Sequence, residues 1–146
     1  MAASGDENKP IDVEADRAEL DDARGINRFF GNVIITQGSR TVKGDKVVIK
    51  GEEGKDQVMI VDGSRKKPAF FQHKNDDGTI STGNSLHMEF YNDSGIVIFT
   101  QDAIMRHQGN TLKGEKISYS TKRDVVNALC DNGGRVKLRL KPANKN

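Results

Sequence analysis

Apolar side chains occupy every second position along most of this chain. The alternation is clearest in residues 47–49, 86–90, 117–119 and 136–140. A period of two places successive side chains on opposite faces of the backbone, which is typical of a strand buried on one face. No segment carries a convincing helical stripe, so the sequence predicts an all-β protein.

Turn-forming residues separate the alternating segments. Gly, Asn and Asp cluster at 21–25, 51–54, 75–78, 92–95 and 131–134, where they supply residues that tolerate positive φ. Short connections of this kind join antiparallel strands. The pattern therefore predicts a succession of antiparallel hairpins laid along one axis.

The chain also repeats itself at a spacing of 70 residues. Residues 41–47 align with residues 111–117 without a gap, and weaker copies of the same unit occur at 82–88 and 14–20. An internal repeat indicates that one supersecondary unit is stacked on the next around a continuous interior. Equivalent apolar positions are therefore expected to converge on one interior. These positions are Ile35, Ile49, Met88, Phe90 and Tyr119.

Twelve apolar positions form the candidate interior. Hydrophobic residues make up only 34% of the chain, Trp is absent, and there are six Phe and two Tyr, so few large side chains are available to fill a solid core. Two interpretations stay open: an ordinary packed core, or an apolar groove that is open along the stack. The candidate positions are Val33, Ile35, Val47, Ile49, Phe70, Leu86, Met88, Phe90, Phe99, Met105, Ile117 and Tyr119.

The two ends of the chain carry opposite charge. Residues 1–24 hold eight acidic and three basic side chains, a net charge of −5, and residues 113–146 hold nine basic and three acidic side chains, a net charge of +6. Both ends are predicted as edge strands, which expose main-chain groups for pairing. Opposite charge favours contact of the strand at 135–140 with the strand around 11–20 of the next copy. The apolar side chains assigned to this contact are Ile11, Val13, Ala18, Leu20, Val136, Leu138 and Leu140.

Catalytic, metal-binding and nucleic-acid-binding sites have little support in the sequence. The three histidines, His73, His87 and His107, lack a Cys or a carboxylate at metal-ligand spacing, so we expect no metal and no cofactor. The basic C-terminal stretch lacks interleaved aromatic side chains for stacking on bases, so no nucleic-acid partner is expected. Polar residues recurring in every copy are expected to be turn residues on an outer edge rather than catalytic carboxylates. They are Asp16, Asp45, Asn84 and Glu115.

Cysteine usage and targeting signals add little. Cys130 is alone, so an intrachain disulfide is excluded. No apolar run is long enough to span a membrane, and residues 1–4 do not resemble a signal peptide. If the protein is exported, we expect this sequence to be the processed form.

Several segments, taken together and in order, carry a resemblance to a known family. They are residues 10–16, 30–38, 43–49, 67–70 and 109–119, with Phe-Gly-Asn-Val-Ile-Ile-Thr-Gln-Gly at 30–38 the longest single match but one. Over about residues 10–140 the chain resembles the OstA-like lipopolysaccharide-transport family. One departure stands at 101–103, where Gln-Asp-Ala replaces the Gly-Asn-Ala often found in the family, and it leaves the turn geometry there open.

The resemblance implies an incomplete, slightly twisted antiparallel β-jellyroll, open at both ends, over residues 10–140, flanked by flexible segments at 1–9 and 141–146. It also implies a non-enzymatic periplasmic protein that shields the acyl chains of lipopolysaccharide in an apolar groove. Such a protein would receive the lipid from an inner-membrane-anchored jellyroll partner and pass it to an outer-membrane one, through copies joined head to tail. The alternative is a β-repeat scaffold with a solid core that only organises partner proteins.

Overall fold

The computed structural model describes residues 5–51, 54–130 and 134–142, and the fold over these ranges is antiparallel β. A single 3-10 turn at Asp6–Asn8 precedes the strands. The strands are β1 (Asp12–Glu14), β2 (Arg17–Asp21), β3 (Ile26–Gln37), β4 (Arg40–Lys50), β5 (Val58–Asp62), β6 (Ala69–Lys74), β7 (Ile80–Ser85), β8 (His87–Tyr91), β9 (Ile96–His107), β10 (Asn110–Ser120), β11 (Val125–Leu129) and β12 (Lys137–Arg139). The expected turn residues at 52–53 and 131–133 lie outside the described ranges, as do residues 1–4 and 143–146.

The strands form two copies of one six-stranded unit, which confirms the repeat. Strands β2, β3 and β4 recur as β8, β9 and β10 with both ends displaced by 70 residues. Strand β1 pairs with β3 as β7 pairs with β9, since Glu14 faces Ile34 and Asn84 faces Ile104. Strands β5 and β6 correspond to β11 and β12 at a spacing of 67 residues, because the connection before β11 is shorter.

The sheet forks into two layers because the two halves of each long strand pair with different neighbours. Residues 46–50 of β4 pair with β5, whereas residues 41–43 pair with β6. Strand β10 divides in the same way between β11 and β12. We call the layer with β2, β5, β8 and β11 the first layer, and the layer with β1, β6, β7 and β12 the second layer. The result is an open two-layered jellyroll, as expected from the sequence.

A β-bulge marks the point where each long hairpin passes from one layer to the other. Gly31 and Asn32 lie opposite Asp45, and Gln101 and Asp102 lie opposite Glu115. All four bulge residues have positive φ, between 48° and 81°. Two residues facing one bend the strand and increase its twist. The Gln-Asp pair therefore adopts the same geometry as the Gly-Asn pair of the first unit.

Buried apolar side chains from both layers form one cluster of eighteen residues. Phe71 of the second layer contacts Phe90 of the first, with ring centroids 5.3 Å apart. The layers approach closely at Gly83, where a Cβ would collide with the ring of Phe99. The core therefore lies between the layers and runs through both units.

Candidate functional site

Ten of the twelve candidate interior positions lie in the buried cluster between the layers. Their side chains are 0–5% exposed, or 7% at most across the whole cluster, so the apolar interior is continuous. The five equivalent repeat positions converge there as expected. The ten are Val33, Ile35, Val47, Ile49, Met88, Phe90, Phe99, Met105, Ile117 and Tyr119.

The other two candidate positions, Phe70 and Leu86, are not interior. Phe70 is half-buried on the outer face of β6, beside Lys43 and Pro68 in a surface depression with an empty volume of about 580 Å³. Leu86 lies between β7 and β8, where the strand ends and the alternation loses its phase. Reading one strand through this break assigned Leu86 to the phase of Met88. A one-residue error in phase moves a side chain to the opposite face.

Phe71, which the sequence reasoning missed, is the interior aromatic residue of β6. It is 1% exposed and contacts both Phe90 and Phe99 across the layers. The signal that could have found it is the polarity of each phase. The phase of Phe70 continues through Gln72, and that of Phe71 through Ala69 on the other side.

Opposite the bulges lies what we call the mouth, the side where the two layers meet at the ends of the long strands. In the second unit, Tyr119 of the first layer reaches His73 of the second, with the phenol oxygen 2.8 Å from Nε2. His107 Nε2 lies 3.1 Å from Asp124 Oδ1, and its Nδ1 lies 2.6 Å from Ser81 Oγ. Polar side chains thus close the apolar interior along this side.

Burial sets the protonation of this polar cluster. Desolvation lowers the pKa of His73 to about 4 and raises the pKa of Tyr119, so both side chains are neutral near pH 7. Desolvation also lowers the pKa of His107, although Asp124 acts in the opposite direction. The two buried histidines therefore serve as neutral hydrogen-bonding groups at the mouth.

Arg40 closes the mouth of the first unit. Its guanidinium is 2% exposed, lies 4.8 Å above the ring of Phe90, and donates from Nη1 to Asn92 Oδ1 at 2.8 Å. Burial lowers the pKa of Arg40, opposed by the carboxylates of Asp6 and Glu7. A charged residue in the interior phase of β4 could have been noticed, since Arg40 alternates with the buried Val42.

Residues 5–9, expected to be flexible, are held against the β3–β4 turn. The buried carboxylate of Asp6 accepts hydrogen bonds from Ser39 N at 3.2 Å and Ser39 Oγ at 2.5 Å. Gln37 Nε2 donates to the carbonyls of Glu7 and Lys9. At the other end, Lys141 N donates to Asn110 Oδ1 at 2.8 Å. Residues 143–146 lie outside the described part of the chain.

The seven apolar side chains assigned to assembly lie on the terminal strands or directly beside them. The sequence predicted one N-terminal edge strand around 11–20, but the structure has two, β1 in the second layer and β2 in the first. The C-terminal end likewise presents β11 beside β12. Leu20, Leu138 and Leu140 are 65%, 56% and 66% exposed, whereas Ala18 is exposed and Ile11, Val13 and Val136 are half-buried.

Ligand chemistry other than apolar contact finds little support. Within residues 5–51, 54–130 and 134–142, no group of three His, Cys, Asp or Glu side chains could hold a metal ion. The same ranges contain no helix that is long and apolar enough to cross a membrane. Asp16, Asp45 and Glu115 lie exposed at the bulges, consistent with their expected place on an outer edge.

An open two-layered β-jellyroll, apolar between its layers and ending in unpaired strands, defines the chain as a transport-type jellyroll. The family described as LptA/(LptD N-terminal domain) LPS transport protein matches residues 12–125. Lipopolysaccharide export system protein LptA of Escherichia coli (strain K12) is 35% identical over 146 residues, covering 98% of this chain and 77% of that protein. The chain belongs to this family of lipopolysaccharide transport proteins.

A second relative agrees in sequence and in structure. Lipopolysaccharide export system protein LptH of Pseudomonas aeruginosa is 34% identical over 137 residues, covering 93% of this chain and 77% of that protein. The crystal structure of LptH, described as the LptA homologous periplasmic component of the lipopolysaccharide transport device, matches with a TM-score of 0.85 at 32% identity. The match covers 94% of this chain and 99% of that chain.

Proposed function

We propose that this protein works in the periplasm, binds the acyl chains of lipopolysaccharide between its two layers, and passes the lipid along a bridge of head-to-tail jellyrolls. The observation that carries the proposal is the continuous apolar interior that reaches unpaired strands at both ends. Relatives of the family are lipopolysaccharide export proteins, and one is described as periplasmic. The bridge would include inner-membrane-anchored and outer-membrane jellyroll partners.

The acyl chains enter by parting the layers at the mouth. On the bulge side, β3, β4, β9 and β10 run continuously through both layers, so the layers are joined covalently there. At the mouth, the described contacts between the layers are made by side chains such as Arg40 with Asn92 and Tyr119 with His73. Opening therefore bends the bulges and exchanges contacts such as Phe71–Phe90 for contacts with lipid.

The energetic reason to enclose the lipid is the cost of exposing hydrocarbon. Each methylene that leaves water stabilises the bound state by about 0.8 kcal/mol. The interior is lined by similar aliphatic and aromatic side chains along its length, so a bound chain gains comparable contacts at successive positions. The protein then acts as a passive conduit, and the direction of transport is supplied elsewhere in the system.

The junction between the two units within one chain is our template for contact between chains. Strand β5 pairs with β8, and β6 pairs with β7, so unit one already meets unit two through paired strands in both layers. The repeat makes β11 and β12 the equivalents of β5 and β6, and β1 and β2 the equivalents of β7 and β8. A second copy can therefore continue both layers.

The template fixes the register of that contact. The Phe71–Gly83 pair becomes Leu138 of one copy against Val13 of the next, displaced by 67 and 70 residues. The Met59–Phe90 pair becomes Val126 against Leu20 in the same way. Both new pairs place apolar side chains on the interior face, so the apolar interior continues into the next copy. Leu20 and Leu138 are covered in the assembly.

The same register brings opposite charges together on the outer face. Lys137 faces Glu14 of the next copy, and Arg139 faces Asp12. Opposite charges directly across antiparallel strands stabilise the pair by roughly 0.2–1 kcal/mol each. Head-to-head contact of two C-terminal ends would instead oppose Lys and Arg, so the outer face favours head-to-tail order.

Photocrosslinking from adjacent aromatic residues tests lipid binding. A photoreactive amino acid at Phe71 is expected to crosslink to lipopolysaccharide, and the same group at Phe70, on the outer face, is the matched control. A photoreactive Phe90 variant, with and without the inner-membrane partners, tests delivery. The scaffold alternative is favoured by the filled interior of the structure, and it predicts equal, background crosslinking at positions 70, 71 and 90.

A further inference from the structure

Arg40 is a buried cation at the entrance to an otherwise apolar interior. Its ring contact with Phe90 places it directly against the interior, and its bond to Asn92 spans the mouth. Within the described part of the chain, its Nε has no hydrogen-bond acceptor. A guanidinium is always charged and offers five donors, so this position is suited to an anion with several oxygens.

The negative charge near Arg40 comes from residues 5–9, which we call the strap. Glu7 Oε2 lies 3.9 Å from Arg40 Nη2, which is a long separation for an ion pair. The neighbouring Asp6 carboxylate is occupied by Ser39 and acts on Arg40 only through its charge. The cation is thus covered by a strap that satisfies it incompletely.

The strap crosses the mouth where an amphiphile would place its headgroup. When acyl chains lie between the layers beside Phe90, the polar end of the molecule is at the mouth, next to Arg40. The repeat position of Arg40 in the second unit is Asn110, so the second unit has no cation at this place. The feature therefore distinguishes one end of the apolar interior from the other.

We propose that Arg40 is a recognition residue for a phosphate group on the headgroup of the bound lipid, and that Glu7 of the strap occupies this anion site until the phosphate displaces it. The proposal rests on the proposed function, because it assumes that acyl chains enter the interior. The ligand chemistry is a phosphate monoester, which has three oxygens and pairs bidentately with a guanidinium. The strap would move away as the phosphate enters.

The test compares one lipid with and without its phosphates. Hexa-acyl lipid A with two phosphates and the same lipid after chemical removal of both are presented to the full chain in the same detergent micelles. We expect the phosphorylated lipid to bind about tenfold more tightly, as for one charge-assisted contact. Arg40→Gln is expected to abolish this preference while keeping the affinity for the dephosphorylated lipid. Arg40→Lys, which retains the charge, is expected to restore a preference of several-fold.

A strap variant tests the same site without changing Arg40. Glu7→Gln is expected to raise the affinity for the phosphorylated lipid a few-fold and to leave that for the dephosphorylated lipid unchanged. Amide hydrogen exchange at residues 5–9 is expected to accelerate on addition of the phosphorylated lipid only. A phosphate preference that survives Arg40→Gln, or a Glu7→Gln variant with unchanged affinities, overturns the proposal.

The remaining arms separate the ligand sources and the two proposals. Faster exchange at residues 5–9 with inorganic phosphate alone would assign the site to free anions and overturn the headgroup role. Equal binding of both lipids by the unaltered chain would overturn this inference while supporting the proposed function. Binding of neither lipid would overturn both.

Discussion

The phenol oxygen of Tyr119 and Nε2 of His73 lie 2.8 Å apart, and this hydrogen bond joins the two layers of the jellyroll at the mouth. Both groups are buried, and burial keeps both neutral, since it lowers the pKa of His73 to about 4 and raises that of Tyr119. Protonation of His73 would place a charge inside the mouth without a counter-ion in contact. The stability of the closed jellyroll is therefore linked to pH.

The first prediction concerns that linkage. The unfolded chain binds a proton at His73 near pH 6.5, whereas the folded chain resists protonation until about pH 4. Stability should therefore be fully present above about pH 6.5 and fall as the pH decreases toward 4, by at most about 3 kcal/mol from this residue. His107, whose pKa is also lowered, acts in the same direction. Urea denaturation at a series of pH values measures the slope, and His73→Gln should flatten it. Equal slopes for the two proteins would contradict the linkage.

The second prediction concerns the two faces of β6. Phe71→Ala removes a ring that contacts Phe90 and Phe99, so it should lower the free energy of unfolding by about 3–5 kcal/mol. Phe70→Ala removes a half-buried ring from the outer face and should cost clearly less. Chemical denaturation of both variants decides the matter, and a larger loss for Phe70→Ala would reverse the assignment of faces.

The third prediction concerns lipid binding. Ile35→Asp and Phe90→Asp each place an unpaired carboxylate in the apolar interior, which is strongly disfavoured, so both should abolish binding of lipopolysaccharide. Ile34→Asp is the matched control because Ile34 lies on the opposite face of the same strand. Displacement of a fluorescent apolar probe is measured on protein shown by circular dichroism to be folded. Survival of binding in folded forms of both variants would place the lipid elsewhere.

The fourth prediction concerns assembly. Truncation after Gly134 removes β12 and should leave a monomer, whereas the full chain should form open filaments whose length rises with concentration, because a head-to-tail contact does not close on itself. Added salt should slow association more than it speeds dissociation, since it screens exposed charges but not paired strands. Light scattering across a concentration series is the measurement, and equal masses for both proteins at every concentration would refute the terminal-strand contact.

The fifth prediction concerns the register between copies. With Cys130 replaced by Ser, Leu138→Cys and Val13→Cys in one chain should form disulfides between neighbouring copies, because directly paired residues lie within reach of a disulfide. Leu138→Cys with Glu14→Cys is the control, since Glu14 points to the other face. Non-reducing electrophoresis reads the outcome. A ladder from the control pair alone would show that the register is displaced by one residue.

The strands, turns and repeat could be predicted from the sequence because they rest on local patterns. The period of two gives a strand wherever it occurs, and the 70-residue self-similarity requires that a geometry formed once is formed again. The bulge at Gln101 and Asp102 illustrates the second point, since it matches that at Gly31 and Asn32 despite different residues. Ten interior positions followed from the same alternation.

Tertiary structure decided the features that depend on phase and on distant contacts. Phe70 and Phe71 are adjacent and chemically identical, so only packing against Phe90 and Phe99 selects which one turns inward. Separation of the N-terminal edge into β1 and β2 depends on which half of β3 each strand meets. Arg40 meets Asn92 and Phe90 only because the long strands bend between the layers. A pattern along the chain determines which side chains share a face, but the face they meet is set by residues far away in sequence.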